Sequence, residues 1–193
     1  MDEQGRLLAR LLDVLDSAGV RHALAGGHAV SAHTRPRLTV DVDLIIEGRR
    51  RAVVERGLAD AGFELRRERD VLQVLASPGS PTTLADLMLS DSHAVWAEAL
   101  LGAEEGVYQG RRLPIVTRAA LVAMKFCSAT AVTRPQEDRL VDVADLSRLV
   151  KAPSWTEADQ VEATRITQLA YAGAGEELRR LIDDLRNNRP VTI

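Results

Sequence analysis

Residues 38–46 read LTVDVDLII, a run whose β-branched and aliphatic side chains demand a buried strand, yet Asp41 and Asp43 stand inside it. Successive side chains of a strand point to opposite faces. Thr39, Asp41 and Asp43 therefore share one face, while Val40, Val42, Leu44 and Ile46 share the other. The aliphatic face can close a core. The acidic face carries two carboxylates whose Cα atoms lie roughly 6.6 Å apart, two residues at the strand rise. Like charges so placed raise each other's pKa and repel unless a cation bridges them. A hard divalent ion such as Mg²⁺ is the simplest bridge, because it takes oxygen ligands from one or two carboxylates and completes its shell on substrate phosphates.

The chain around this segment reads as mixed α/β followed by helices. Leu7, Leu8, Leu11, Leu12 and Leu15 recur at helical spacing before a stop at Gly19. A short strand over 21–25, a turn at Gly26-Gly27 and a brief helix over 28–33 precede the acidic strand. A helix over 49–61 follows, then strands over 63–67, 71–76 and 83–90, the last two separated by the turn-forming run SPGSP. Asp91 or Ser92 is expected to cap a helix ending at Leu101, and a hairpin is expected over 106–116. From Thr117 onward every segment is helical in pattern. Thr117 caps a helix to Ser128, Pro135 opens the next, and Ser154 with Glu157 forms a capping box for a helix toward Tyr171. Gly175 precedes a last amphipathic helix. The expected fold class is α/β (α+β), with a catalytic lobe over 1–116 and a helical lobe over 117–193 that completes a cleft.

Composition narrows the chemistry. The 193 residues are 46% hydrophobic and 27% charged, which suits an ordinary globular protein, and 3% aromatic, which is low for a base-stacking surface. A net charge of −3 gives no global pull toward nucleic acid or anionic membrane, although Arg49 to Arg51, Arg66 with Arg67, and Arg111 with Arg112 form local basic clusters. Cys127 is the single cysteine, so no internal disulfide can form. The acidic N-terminus lacks the order of a signal peptide and no apolar run can span a bilayer, so a cytoplasmic protein with no membrane partner is expected. Zinc motifs, a Walker loop and the protein-kinase motif set are absent.

Gly26-Gly27 at the start of a helix lets backbone amides approach an anion such as a triphosphate. Asp86 breaks the apolar run LADLML as Asp41 and Asp43 break theirs. If its strand lies beside the acidic strand, about 4.8 Å away, three carboxylates meet, and three acids can hold two metal ions for phosphoryl or nucleotidyl transfer. Asp86 could instead be an ordinary edge or cap aspartate.

The segment LAGGHAVSAHTRPRLTVDVDLII resembles the active-site signature of the nucleotidyltransferase superfamily with the DNA polymerase β palm fold. The pattern Arg37-x-Thr39-x-Asp41-x-Asp43 after a glycine pair is most similar to its AbiEii-type branch, which includes toxins of toxin-antitoxin and phage-defence systems. The resemblance implies Asp41, Asp43 and Asp86 as metal and catalytic ligands. It implies Mg²⁺ or Mn²⁺ as cofactor and a nucleoside triphosphate as co-substrate. Gly26, Gly27, Arg37 and Thr39 become nucleotide-binding residues, with backbone amides replacing the serine that many members carry at the second glycine.

The resemblance continues into the helices. Lys125 stands alone in an apolar stretch, where it must reach water or meet an anion; the branch has a phosphate-binding lysine at a comparable place. Asp142-x-x-Asp145-Leu146 resembles the branch's D-x-x-D-L motif, which implies catalytic and nucleotide-binding roles for Lys125, Asp142 and Asp145, with Asp142 ahead of Asp145 as the acid that orients Lys125 or the acceptor across the cleft. Surface i,i+3 pairs of Asp142 with Arg139 and Asp145 with Arg148 are the plain alternative.

Transfer of a nucleoside monophosphate to an acceptor hydroxyl with release of pyrophosphate is thus expected. The branch implies tRNA as acceptor and a cognate antitoxin as partner. The short acidic chain equally suits an antibiotic nucleotidyltransferase acting on a small hydroxylated molecule, and a non-catalytic nucleotide- or partner-binding protein on the same scaffold is the third reading.

Overall fold

The computed structural model describes residues 3–36, 39, 41–75, 79 and 82–191. The leucine stripe forms helix α1 (Glu3–Ser17), with Leu8, Leu11, Leu12 and Leu15 buried, and Gly19 ends it in the left-handed region at φ +60°. Strand β1 (His22–Leu24) leads directly into helix α2 (Gly26–His33), which begins at the glycine pair rather than after it. Strand β2 (Val42–Ile46) is shorter than its apolar run. Asp41 lies in a bend just ahead of it, so the expected alternation applies to Asp43 and not to Asp41. Arg37 lies outside the described residues.

A 3₁₀ turn (Gly48–Arg50) and helix α3 (Arg51–Asp60) follow, then strands β3 (Leu65–Arg67), β4 (Val71–Leu75) and β5 (Thr83–Leu89). A second 3₁₀ turn occupies Ser90–Ser92 and helix α4 spans Ala94–Leu101. Its cap is His93, whose Nδ1 accepts from the Val95 amide at 3.2 Å, not Asp91 or Ser92. The expected hairpin is present as β6 (Glu104–Tyr108) and β7 (Arg111–Ile115).

Helices α5 (Arg118–Thr130), α6 (Gln136–Val150), α7 (Glu157–Thr167) and α8 (Ala174–Arg186) complete the chain. Thr117 caps α5 as expected. The capping box belongs to Thr156 and Asp159 instead of Ser154 and Glu157, and Gly173 at φ +92°, not Gly175, precedes α8. Residues Ala119 to Met124 of α5 are all buried, the mark of a central helix, and it packs on α6 and α7.

Among the described residues, seven strands form one mixed sheet in the order β3-β4-β5-β2-β1-β7-β6. β2 pairs antiparallel with β1 and parallel with β5, in a register that sets Asp43 directly opposite Asp86. β4 pairs antiparallel with β5 and sets Gln73 opposite Asp86 from the other side. Val42, Leu44, Ile45 and Ile46 are buried, so β2 is apolar on both faces except at Asp43. Helix α2 packs on β2 and on α5 and α6, joining the sheet to the helices at the acidic end of β2. Among the described residues no helix is long and apolar enough to cross a membrane.

Candidate active site

The parallel pairing of β2 with β5 brings together the acids that the sequence singles out. One carboxylate oxygen from each of Asp41, Asp43 and Asp86 lies within 4.8 Å of the others. Asp43 is the most constrained of the three. Burial first, and then Asp41, push its carboxyl up to about 7; Asp86 adds to this, while Lys125 and a backbone hydrogen bond from Gly27 oppose it. The Asp86 carboxyl is also raised, chiefly by burial, against a hydrogen bond from Gln73 Nε2 to its Oδ1 at 3.2 Å.

The turn into α2 is built around this cluster. Gly26 has φ +54°, and a Cβ there would fall 1.7 Å from Asp43 Oδ2. No other residue fits. The Ala25 amide donates to the Asp43 carbonyl at 2.9 Å, which fixes the start of α2 against β2. Ser31 Oγ donates to the Gly27 carbonyl at 3.1 Å. Thr39 Oγ1 donates toward the Asp41 carbonyl at 3.5 Å.

The helical side supplies an ion cluster. Lys125 Nζ lies 2.7 Å from Asp142 Oδ1 and 2.9 Å from Asp145 Oδ2, and both acids are buried, at 2% and 1% exposure. Burial alone would lower the ammonium pKa, but the two carboxylates outweigh it and the pKa is raised. The expected surface pairs are thereby replaced: Arg139 Nε donates to the Ala129 carbonyl at 2.8 Å, and α6 turns Asp142 and Asp145 inward to α5. Lys125 is close enough to Asp43 to favour its ionisation.

Two residues emerge that the sequence reading passes over. Gln73 reaches Asp86 across β4 and β5; a lone amide in the apolar strand VLQVL is the signal that marks it. Arg134, in the connection from α5 to α6, lies 3.0 Å by Nε from Asp142 Oδ2, and its charge also favours ionisation of Asp86. Nothing in its local sequence sets it apart. His28 is buried in the first turn of α2 and hydrogen-bonded to Tyr108, a packing role rather than a metal ligand.

The three acids fit a divalent cation: the donors are hard oxygens, they converge from adjacent elements, and the close approach of Gly26 leaves Asp43 no room to turn away. Cys127 is half-buried and its thiol is pushed up to about 11, which removes it from nucleophilic chemistry.

Neither a family model nor a curated protein matches the sequence. Solved structures do. The crystal structure of ANT(2")-Ia in complex with adenylyl-2"-tobramycin matches 97% of this chain and 99% of its own at 21% identity, with a TM-score of 0.54. The lincomycin-bound lincosamide antibiotic adenylyltransferase LnuA matches 74% of this chain and 95% of its own at 16% identity and TM-score 0.50. An antigenic nucleotidyltransferase-like protein from Paracoccidioides brasiliensis matches 94% and 93% at 17% identity and TM-score 0.51. The chain has a nucleotidyltransferase fold. Within that fold, Asp41, Asp43 and Asp86 line one end of the sheet, and the Lys125 cluster faces them from α5 and α6.

Proposed function

We propose that the protein is a metal-dependent nucleotidyltransferase that moves a nucleoside monophosphate from a nucleoside triphosphate to a hydroxyl of a small molecule. The convergence of Asp41, Asp43 and Asp86 beside the helical cation Lys125 carries the reading. The chain divides functionally into a catalytic lobe over 1–116 and a helical lobe over 117–193 that closes the cleft. Asp41, Asp43 and Asp86 would hold Mg²⁺ or Mn²⁺, which when bound supplies positive charge to the phosphates and acidifies the acceptor hydroxyl.

The chain's own residues do the rest. Gly26 and Gly27 offer the start of α2 to the phosphate tail, and Gly26 admits close approach because it has no side chain. Lys125, Arg37 and Thr39 bind the nucleotide, with Asp142 and Asp145 fixing the Lys125 ammonium in place. Asp86, the outermost acid of the cluster along the sheet, takes the proton of the acceptor hydroxyl. The new bond joins the acceptor oxygen to the α-phosphorus; the bond from that phosphorus to pyrophosphate breaks, and pyrophosphate leaves with the electron pair.

A small acceptor is favoured over RNA by where two of the three arginine clusters lie. Arg49 to Arg51 follow the end of β2 opposite Asp43, and Arg111 with Arg112 begin β7, whose far end pairs with β1 at Leu24. Both clusters are thus at the other end of the sheet from the acids, and Arg51 and Arg111 are spent on Glu55 and on Asp13 and Asp16. The similar structures named for tobramycin and lincomycin point the same way.

The test incubates the protein with each α-labelled nucleoside triphosphate, Mg²⁺ or Mn²⁺, tobramycin, lincomycin and total RNA. Label is expected on a small molecule and to vanish with Asp43→Ala. Label on tRNA would support the AbiEii-type toxin reading with its cognate antitoxin instead. Nucleotide binding with no transfer to any acceptor would reduce the protein to a binding scaffold.

A further inference from the structure

Strand register extends the row of acids outward across the sheet. Asp43 is opposite Asp86, Asp86 is opposite Gln73, and Gln73 is opposite Arg66 on β3. Directly opposed residues share a face, so these four side chains stand in one line on one side of the sheet. The Gln73 amide bonded to Asp86 confirms the direction it takes. Met88 and Val71, opposite each other, form the adjacent row on the same face, followed by Glu68, whose amide donates to the Val71 carbonyl at 2.9 Å.

The two faces of these outer strands differ sharply. Leu72, Val74, Ala85 and Leu87 on the other side are fully buried. On this side Leu84 is buried at the start of β5, whereas Gln73, Asp86, Val71 and Met88 are only half-buried and Arg66 and Glu68 are exposed. An open sheet face that begins at a carboxylate of the metal cluster is a floor on which a molecule can lie.

We infer that this strip, Arg66 to Asp86 through Gln73 with Val71 and Met88 beside it, is the acceptor subsite and takes a polyhydroxylated ring. The inference rests on the nucleotidyltransferase reading and adds where the acceptor lies and what it is. The strip offers a guanidinium donor, a carboxamide that both donates and accepts, and carboxylate acceptors, at strand spacings of about 4.8 Å. Two apolar side chains flank them. Hydroxyls around a ring meet the polar row while its C–H face rests on Val71 and Met88, and the hydroxyl nearest Asp86 is the one that reacts. Gln73 holds the Asp86 carboxylate through Oδ1. Arg66, about 9.6 Å from Asp86 by two strand spacings, grips the distal end.

Tobramycin and lincomycin serve as probes for amide chemical-shift mapping on the full-length protein, with transfer kinetics from the preferred labelled triphosphate alongside. Perturbations are expected at Arg66, Gln73 and Met88 for at least one of the two. Arg66→Ala should raise the acceptor KM at least tenfold while triphosphate affinity and Tm stay as in the wild type; Gln73→Ala should raise KM and also lower kcat. Shifts that map elsewhere, an unchanged acceptor KM in Arg66→Ala, or no perturbation of the strip by either probe at millimolar concentration would overturn the assignment. Transfer that persists with shifts elsewhere leaves the enzyme reading intact and removes only this subsite, whereas a protein that binds no triphosphate removes the reading itself.

Discussion

At Asp43 burial and a neighbouring carboxylate act together against ionisation, and the sign of the consequence follows. A carboxyl ordinarily near 3.8 is pushed up to about 7, so the folded chain holds this proton more tightly than the unfolded one does. The stability linked to the proton is complete below the ordinary value and is lost as pH rises through 7. Metal-free Asp43→Asn should therefore be more stable than the wild type at pH 8, by on the order of a few kcal/mol, and the two should converge toward pH 5. Added Mg²⁺ should raise the wild-type Tm at pH 8 and leave the variant unmoved; parallel melting curves at both pH values would contradict this account. Gly26 is the second exacting position. Gly26→Ala meets Asp43 Oδ2 in a left-handed turn, so a loss of about 1–3 kcal/mol is expected in urea unfolding. Mn²⁺ affinity, read by titration, should fall with it.

The α5 and α6 pair is legible from sequence as two helices, and its charge cluster only as one of two equal readings, since a pairing of Asp142 or Asp145 with Lys125 stands there beside ordinary surface pairs. Locally, Arg139 and Arg148 offer Asp142 and Asp145 adequate i,i+3 partners, and only the packing of α6 on α5 decides that both acids turn to Lys125 instead. The capping box shows the same limit. Ser154 with Glu157 and Thr156 with Asp159 present the same signal two residues apart, and the register of α7 selects the second. Gln73 and Arg134 are invisible for a related reason, since each gains its meaning from a partner on another element. The acids of β2 and β5, by contrast, are legible because nothing in an apolar strand explains them. The cluster itself yields a prediction at this scale. Lys125→Met leaves two buried carboxylates facing each other and should lose about 3–5 kcal/mol, whereas the triple change Lys125→Met, Asp142→Leu, Asp145→Leu should recover most of it. Neither protein should transfer nucleotide. A single variant as stable as the wild type in chemical denaturation would show that the cluster is not balanced through Lys125.

Over the whole molecule, two arginine clusters, Arg49 to Arg51 and Arg111 with Arg112, stand at the end of the sheet away from the acids, whereas Arg66 shares the row of the acids. Charge reversal at Arg49 and Arg112 should therefore leave the rate of transfer to a small acceptor within about twofold at 0.15 M salt, where the Debye length is about 8 Å. A steep loss, sensitive to ionic strength, would mean that those clusters receive a polyanionic acceptor. The parallel contact of β2 with β5 has a different kind of consequence. No hairpin can set Asp43 beside Asp86, because α3, β3 and β4 intervene along the chain and β5 must return between β4 and β2. Closing so long an excursion is slow relative to forming helices or the neighbouring hairpins. A chain emerging from synthesis thus carries its first two acids long before it can gather a cation around all three, and competence waits for β5 to return to β2.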